Sequence, residues 1–425
     1  ETGGGSAAAA TTTTKATDIF VKQINASQFS GKTFTEMRRY LLYARTEVRF
    51  YGDILPHLYD QKILNADAGD SIMAPRCYYA SLNLDGLMDD EEHVLDSPND
   101  EKKDLVMKEE DLAGKGGILV LESIGAKESC RAKQDENDGR GSKYFQDSPL
   151  TLSQSSQCLS AVAKLHAAAW QDETLLQNVE QRLSKGAHHL RMRNPKELED
   201  IVDTWDNFMS DFLQQEAPDL CKLASIQNLG KRIYNIAEYI SDELSPAPND
   251  AYATIAHGDY KAMNVFLPLQ KEEDAIIIDY ASTGVGLGMS DVAMHIAHAI
   301  TPQDLENGGE ELLIQNYLDA FEKALKSKPK NGEVTSKNND IPYPKEVAMR
   351  HYRLASIDYF RFVLGRFWKG ASREGFDKRK KNRNTTLVNR NVEAAIVFIR
   401  KVDRYLPEFE AEFEGHQNKA EEIIN

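Results

Sequence analysis

The period of the hydrophobic positions changes along the chain. Short apolar or alternating runs, typical of strands, occur early, whereas apolar residues three and four positions apart, typical of helices, dominate later. Six runs predict strands, three of them early and three in the middle of the chain: DIFVKQI, RCYYASLNL, GGILVLESI, AYATIAHGD, NVFLPL and AIIIDYA. We therefore expect an α+β fold with a small β-rich lobe followed by a large, mainly helical lobe.

Helical periodicity is clearest in residues 33–56 and 150–170. In the first of these, Pro56 is expected to lie beyond the helix end. Further helices are predicted over 172–245 and through most of the chain after the last strand. The apolar positions that define the first helix are Phe34, Met37, Leu41, Ala44, Val48 and Tyr51.

Polar segments divide the chain into lobes. Four segments rich in charged residues, or in Gly, Ser, Asn and Pro, are expected to be loops, and the first is a mostly acidic insertion: 89–111, 132–150, 326–345 and 373–384. We place an N-lobe at residues 1–121, an inter-lobe hinge at 122–126 and a C-lobe at 127–425.

Net charge and cysteine spacing limit the classes of partner and the location that we expect for the protein. The formal net charge of −16 argues against nucleic acid, since phosphate backbones bind basic surfaces, and also argues against anionic membranes. No apolar run approaches the roughly 18 residues that can span a bilayer. The four cysteines stand far apart with no CxxC pair, which favours free thiols and a cytoplasmic location: Cys77, Cys130, Cys158 and Cys221.

The stretch HGDYKAMN places Asp259 and Asn264 just after an apolar strand, and Asp279 ends the later apolar run AIIID. Phosphoryl transfer from ATP requires a lysine on the phosphates, oxygen ligands for Mg²⁺ and a carboxylate that aligns the acceptor hydroxyl. We predict that Asp259 orients the acceptor and that Asn264 and Asp279 bind Mg²⁺. Each residue alone is also typical of a turn, so it is the combination that indicates a phosphotransferase.

Together with IIIDYASTGVGLGMSDVAM, this stretch resembles the aminoglycoside phosphotransferase and choline kinase-like group, and within it the ecdysteroid kinase-like phosphotransferases. The segments ILVLESIG, LSAVAKLHAAAW and FVKQI…TEVRFY extend the resemblance over most of residues 18–300. It implies a protein-kinase-like two-lobe fold, ATP and Mg²⁺ as cofactors, and a small-molecule hydroxyl as acceptor. It does not identify that acceptor.

The resemblance also implies roles for single residues. Lys22 would pair with the ATP phosphates, and Glu47 would orient Lys22. The backbone of Glu122 and Ile124 would face adenine, with an ordinary strand end as the alternative. Lys261 would approach the transferred phosphate, although many small-molecule kinases lack a lysine there.

Helix geometry supports Glu47 independently. It is the only charged member of a stripe whose other positions are Tyr40, Ala44, Tyr51 and Ile54. A carboxylate on an inward stripe requires a partner, because an unpaired buried charge is costly. The alternative is a surface glutamate paired with an arginine.

Three residues near the motif are expected to be structural. His257 would brace the loop by hydrogen bonds, and Asp291 resembles the helix-start aspartate that tethers the catalytic loop. His166 lies on an apolar helix face and is expected to be a satisfied core histidine.

The helix in residues 351–370 is rich in aromatic residues and contains Asp358. Two interpretations remain open, a cage for a cationic acceptor and ordinary core packing. The aromatic residues concerned are Tyr352, Tyr359, Phe360, Phe367 and Trp368.

Only ETGGGSAAAATTTTKAT precedes the Lys22 strand, which leaves no room for a strand before it. We therefore expect an N-lobe truncated at its start, with GGGS either part of a phosphate-covering loop or part of a flexible leader. A non-catalytic nucleotide-binding or scaffold protein of the same fold is accordingly the alternative to an active kinase. A protein kinase is disfavoured because IDYAS stands where DFG would and no activation loop is recognisable.

Overall fold

The computed structural model describes residues 18–60, 74–87, 104–124, 126–127, 143–183, 196–270, 274–327 and 343–424. Its elements form a small β-rich N-lobe and a large, mainly helical C-lobe, so the predicted α+β, kinase-like two-lobe fold is confirmed. Among the helices of these ranges, none has the length and apolar character needed to cross a bilayer.

The N-lobe contains all three strands predicted for it. Its elements are β1 (Ile19–Asn25), α1 (Phe34–Arg49), α2 (Leu55–Asp60), β2 (Cys77–Asn83), α3 (Glu109–Leu112) and β3 (Gly116–Glu122). The strands form an antiparallel sheet in the order β1-β3-β2. Residues of β3 alternate between the two faces, and Leu119 and Leu121 are buried beneath α1.

Helix α1 begins at a capping box formed by Thr33 and Glu36, each of which accepts the other's backbone N–H. The expectation that the helix ends before Pro56 is wrong. A π-helical turn over Phe50–Ile54 continues α1 into α2, whose second residue is Pro56. Pro56 has no N–H to donate, and it follows directly on the π-helical turn, in which Leu55 donates its N–H to the Phe50 carbonyl five residues earlier.

The six apolar positions predicted for α1 are all buried. On the stripe that contains Glu47, the residues Ala44, Glu47, Tyr51 and Ile54 are buried. Tyr40, which was expected on that stripe, is 51% exposed. The prediction failed at Tyr40 because helix periodicity defines a face but not where its neighbours end.

In the part of the C-lobe that the structure describes there are six short strands: β4 (Ala126–Lys127), β5 (Tyr144–Phe145), β6 (Thr254–Ala256), β7 (Val265–Pro268), β8 (Ile276–Ile277) and β9 (Gly284–Gly286). They form a sheet in the order β4-β5-β7-β8 and an antiparallel β6-β9 pair. The hairpin of β7 and β8 was predicted, whereas β4, β5 and β9 were not, because such short strands show no periodicity.

The remaining described residues of the C-lobe are mainly helical. The long helices are α4 (Leu152–Ala169), α5 (Glu173–Arg182), α7 (Ile201–Phe208), α10 (Leu229–Glu243), α11 (Gly288–Ala299), α13 (Glu310–Ser327), α14 (Lys345–Phe367) and α16 (Val392–Ile424). The short ones are α6 (Lys196–Glu199), α8 (Gln214–Glu216), α9 (Ala224–Gln227), α12 (Pro302–Asp304) and α15 (Arg373–Arg379).

The predicted loops are partly corrected. Residues 373–384 begin with α15, where the Ser372 hydroxyl accepts the Gly375 N–H at 3.2 Å. Helix α3 lies at the end of the acidic insertion, and β5 lies within 132–150. Residues 89–103, 132–142 and 328–342 of the predicted loops, and the GGGS segment, lie outside the described residues.

A buried carboxylate joins three helices of the C-lobe. Glu310, at the start of α13, accepts Lys401 Nζ at 2.7 Å and the hydroxyls of Tyr352 and Tyr405 at 2.9 Å each. Burial raises the pKa of Glu310, but Lys401 and the two hydroxyls outweigh it, so the pKa lies below its ordinary 4.5. Glu310 therefore ties α14 and α16 to α13 in its ionised form.

We expect Glu310→Gln to lower the free energy of unfolding at pH 7 by about 3 kcal/mol, because it leaves the Lys401 ammonium buried without a counter-charge. Since the folded pKa of Glu310 is depressed, its contribution is complete above pH 4.5 and is lost as the pH falls through the folded pKa. The difference between the two proteins in urea unfolding should therefore shrink below pH 4.5. Glu311→Gln, at an exposed neighbouring position, is the matched control; an equal effect there would contradict this account.

Candidate functional site

The segment after β6 leads the chain from the core to the junction of the lobes. All three residues of β6 are buried between helices of the C-lobe, and the chain turns at Gly258, whose φ is +81°. A Cβ is strained at that φ, which explains the glycine of HGD. Asp259 then leaves the core, and a 3₁₀ turn, Ala262–Asn264, leads into β7.

The loop is anchored by Asp291 in the first turn of α11. Its buried carboxylate accepts the N–H of His257 at 2.7 Å and that of Gly258 at 2.9 Å, and it contacts His166 Nε2 at 3.0 Å. Burial raises the pKa of Asp291, but the bonds from His166 and the backbone outweigh it and lower the pKa below its ordinary value. The predicted tether is confirmed.

The two histidines are also structural, as expected. His166 is fully buried, with Tyr317 Oη 2.8 Å from Nδ1 and Asp291 on the other ring nitrogen. His257 Nε2 lies 3.0 Å from the Ile278 carbonyl and so fixes the residue before Asp279. His166 therefore orients the anchoring carboxylate, a role that the expectation of a core histidine did not include.

Asp259, Lys261 and Asn264 meet at the end of this loop. Lys261 Nζ lies 2.8 Å from Asp259 Oδ2, and Asn264 Nδ2 donates to the Asp259 carbonyl at 2.9 Å and to Oδ2 at 3.2 Å. Burial lowers the pKa of Lys261, but the attraction of Asp259 outweighs it, so the pKa is raised and the ammonium stays charged. The amide nitrogen of Asn264 is thus used within the loop, which leaves Oδ1 as the atom suited to a cation.

Asp279 stands beside this group because β7 pairs with β8. Ile278 donates its N–H to the Asn264 carbonyl at 2.9 Å. Asp279 itself has φ 67° and ψ 60°, a left-handed conformation that is rare for a residue with a side chain. Such strain persists where the surroundings impose it, commonly at functional sites. The Asp279 side chain is 38% exposed, and Oδ1 lies 3.8 Å from Lys22 Nζ.

Lys22 of β1 and Glu47 of α1 form the pair that the resemblance implied. Lys22 Nζ lies 2.5 Å from Glu47 Oε2, and the glutamate side chain is 4% exposed. Burial lowers the pKa of Lys22, but Glu47 and then Asp279 outweigh it, so the pKa is raised. The alternative of a surface Glu47 paired with an arginine is excluded, and the charged ammonium is held between two carboxylates.

An aromatic stack connects the π-helical turn that follows α1 with the loop. The Phe50 and Tyr280 rings stack at 3.9 Å, Tyr51 meets Tyr280 edge-on at 5.5 Å, and the His257 ring lies 5.0 Å from that of Tyr280. Sequence analysis missed this stack. The one available signal was the aromatic residue directly after Asp279.

Oxygen ligands suited to Mg²⁺ are Asn264 Oδ1 and the Asp279 carboxylate, which the β7–β8 pairing brings together. In the described part of the chain, no cluster of three or more His, Cys, Asp or Glu side chains is arranged for a metal. A hard cation at this pair would complete its coordination with phosphate oxygens and water, which is the usual arrangement for Mg²⁺ and fits these residues.

Two backbone N–H groups at the predicted hinge already donate hydrogen bonds within the N-lobe. Glu122 donates its N–H to the Arg76 carbonyl at 2.8 Å, and Ser123 donates to the Asp18 carbonyl at 3.0 Å. An adenine contact from Glu122 would thus use its carbonyl. Contacts of Glu122 and Ile124 with adenine remain a prediction.

The aromatic helix α14 belongs to the core. Asp358 pairs with buried Arg361 at 2.8 Å, and Phe367 alone of the five predicted aromatic residues is exposed. The other four, Tyr352, Tyr359, Phe360 and Trp368, are buried among other rings and helices. The cage for a cationic acceptor is therefore wrong, and core packing is confirmed.

We expect Tyr280→Phe to leave stability unchanged or to raise it by up to about 1 kcal/mol, because no residue of the described ranges hydrogen-bonds the buried hydroxyl. Tyr280→Ala should lower the free energy of unfolding by about 3 kcal/mol or more, since it removes the stack against Phe50. Urea unfolding measures both. Equal destabilisation by the two substitutions would show that the hydroxyl, not the ring, makes the important contact.

Comparison with known proteins agrees with the family resemblance that the motifs indicated. The model of the ecdysteroid kinase-like family matches residues 138–328, a little under half of the chain. No curated protein sequence matches the chain at a significant level.

Several solved structures are similar at low identity. Choline kinase LicA from Streptococcus pneumoniae is 12% identical, with a TM-score of 0.35, over 91% of this chain and 87% of that one. The aminoglycoside phosphotransferase APH(3'')-Id from Streptomyces rimosus, in complex with ADP and streptomycin, is 14% identical, with a TM-score of 0.30, over 72% and 84%. Amicoumacin kinase hAmiN, in complex with AMP-PNP, Ca²⁺ and Ami, is 9% identical, with a TM-score of 0.37, over 83% and 78%.

These identities and scores are too low to transfer a substrate. The family match, by contrast, spans the whole segment from His257 to Asp291. Residues 138–328 therefore match the ecdysteroid kinase-like family, the group that the motifs of the sequence indicated.

Proposed function

We propose that the protein is an ATP- and Mg²⁺-dependent phosphotransferase that moves the γ-phosphate of ATP to a hydroxyl of a small molecule. The observation that carries the proposal is the convergence of Lys22, Asp259, Asn264 and Asp279 at the junction of the lobes. Lys22 comes from β1 of the N-lobe, and the other three residues come from one segment of the C-lobe, residues 259–279. Phosphoryl transfer requires this set of a cation, oxygen ligands and an acceptor-facing carboxylate.

Lys22 would bind the phosphates of ATP. Its ammonium is already charged and is held by Glu47, so little reorganisation is needed when a phosphate arrives. Its second neighbour, Asp279 at 3.8 Å, marks the side on which the phosphates and the metal would lie. Glu47 is a positioning residue in this scheme, because it acts only through Lys22.

Asn264 and Asp279 would hold Mg²⁺, which neutralises charge on the phosphate oxygens when it is bound. The second bond of Asn264, from Nδ2 to Asp259, fixes the orientation of its amide. The two candidate ligands lie at the open end of the β7–β8 hairpin, and the loop with Asp259 leads directly into β7.

Asp259 would orient the acceptor hydroxyl and accept its proton as the hydroxyl oxygen attacks the γ-phosphorus and the bond to ADP breaks. Its carboxylate is one-third exposed, and only Oδ2 is used by Lys261 and Asn264. Lys261 Nζ lies 2.8 Å from that oxygen. Its ammonium would therefore contact the phosphoryl group as it passes from ATP to the acceptor hydroxyl beside Asp259. The acceptor is expected among amino alcohols, aminoglycosides and hydroxylated sterols.

We expect the full-length protein to release ADP from Mg·ATP in the presence of one member of an acceptor panel drawn from these three classes. Asp259→Asn should lower the turnover number by about 10²- to 10⁴-fold, because it removes the proton acceptor. The variant should still bind Mg·ATP, since Asp259 is not among the candidate metal ligands. A coupled ADP assay and calorimetry measure the two properties.

The matched control is Asp206→Asn, an exposed aspartate of α7, which should leave turnover unchanged. Acceptor-dependent turnover that survives Asp259→Asn would contradict the assigned role. Mg·ATP binding without turnover on any acceptor would favour the non-catalytic nucleotide-binding alternative.

A further inference from the structure

One face of helix α11 follows the loop that carries Asp259. Asp291, His295 and His298 are four and three residues apart, so they lie on the same face of the helix. Asp291 holds the start of the loop, and the His295 ring lies 5.5 Å from that of Tyr260 in its middle. The 3₁₀ turn that ends the loop also contacts α11. His298, in the last turn of the helix, thus underlies the part of the loop that follows Tyr260.

His298 is buried and its ring has no hydrogen bond. The residue is 1% exposed, and neither ring nitrogen has a partner of good geometry among the described residues. Its backbone carbonyl, by contrast, accepts the Ser148 hydroxyl at 3.5 Å. A neutral imidazole has one N–H donor and one acceptor nitrogen, and leaving them unused in the interior is costly. Such a group in a core calls for a partner that another state of the site supplies.

The surroundings of His298 keep its ring neutral. Burial lowers the pKa of His298 well below its ordinary value, and the nearby His295, Lys261 and Arg390 lower it further, whereas the Asn384 backbone raises it. A neutral ring retains a nitrogen lone pair that can accept a hydrogen bond. The two neighbouring cations are therefore the candidate donors to this lone pair.

Lys261 is the better of these donors. Arg390 already donates from each of its three nitrogens, at 2.9, 3.3 and 2.7 Å. An ammonium has three protons, and within the described ranges that of Lys261 donates one hydrogen bond, to Asp259 Oδ2 at 2.8 Å. Lys261 therefore has protons to spare for His298.

The contact between Lys261 and Asp259 opposes the reaction in one respect. An ammonium beside a carboxylate stabilises the ionised form, so it makes Asp259 a weaker proton acceptor. The proposed reaction requires Asp259 to take a proton while Lys261 follows the phosphoryl group. When Lys261 leaves Asp259, its ammonium enters surroundings that are three-quarters closed to solvent, where a lost hydrogen bond is not replaced by water.

We propose that His298 is a positioning residue of the phosphotransferase site, whose neutral ring accepts a hydrogen bond from Lys261 when the ammonium turns from Asp259 to the phosphoryl group. The proton of the acceptor hydroxyl moves to Asp259, Lys261 keeps its three protons, and His298 stays neutral. This inference rests on the proposed function, because the bond forms only during phosphoryl transfer.

Substitution of His298 should change the turnover number rather than nucleotide affinity. We expect His298→Leu to lower the turnover number in the coupled ADP assay by about tenfold, the effect of one hydrogen bond to a charged group. The KM for Mg·ATP should be unchanged, since the bond is absent from the ground state. His298→Asn and His298→Gln place a carbonyl oxygen near Nδ1 and Nε2 respectively, and one of them should restore most of the turnover.

A double-mutant cycle separates this role from a structural one. In a Lys261→Met background, His298→Leu should have no further effect on the turnover number, because the donor is absent. The matched control is His351→Leu, which removes a buried imidazole of α14 that contacts Tyr343 Oη at 2.8 Å. It should lower the thermal unfolding temperature, leave turnover unchanged and show no coupling to Lys261. Thermal unfolding of every variant establishes that it is folded.

A measurement on the unmodified protein covers the case in which His298→Leu does not fold. In ¹⁵N NMR spectra, the His298 ring should be neutral at pH 7, and Mg·AMP-PNP should shift one of its nitrogens as Lys261 turns to the phosphates. The shift should be absent in Lys261→Met.

The inference is overturned if His298→Leu lowers turnover equally with and without Lys261, if neither amide variant restores turnover, or if the nucleotide shifts no ring nitrogen. In each of these cases an active unmodified protein leaves the proposed function standing. An unmodified protein with no acceptor-dependent turnover would instead overturn the proposed function, and this inference with it.

Discussion

The candidate site depends on one buried carboxylate. Asp291 accepts two consecutive backbone N–H groups, those of His257 and Gly258, and its orientation is fixed by His166. An ionised carboxylate is retained in a core only where such hydrogen bonds replace water. These hydrogen bonds fix the start of the loop against α11, and they thereby fix the position of Asp259, the next residue. A loop held only by its own turns would allow Asp259 and Asn264 to move independently.

Two chains of contacts connect the loop that Asp291 anchors with the N-lobe. The polar route runs through the β7–β8 pairing to Asp279 and then to Lys22, which Glu47 holds from α1. The apolar route runs from the His257 ring to Tyr280 and on to Phe50. The polar route ends on Glu47 near the end of α1, and the apolar route ends on Phe50 in the π-helical turn that follows. The position of this continuous helix therefore affects both routes.

Sequence analysis could predict the parts of the site that depend on local order. The spacing of Asp259, Asn264 and Asp279 predicted that they share one site, and the helix stripe predicted that Glu47 is buried with a partner. The partner itself, Lys22, came only from the family resemblance, because pairing across lobes leaves no periodic signal. The continuation of α1 past Pro56 and the burial of Tyr352 depend on tertiary contacts. The local pattern near Pro56 favoured a helix end, and the aromatic pattern near Tyr352 left a cage open beside core packing.

The most direct test of the central claim is calorimetric titration of ATP into the full-length protein, with and without Mg²⁺. The account predicts one saturable site whose affinity increases with Mg²⁺, and it predicts that Asp279→Asn removes this increase, because the variant lacks a metal-binding carboxylate. ATP binding that is absent, or that is equal with and without Mg²⁺ in the unmodified protein, would contradict it.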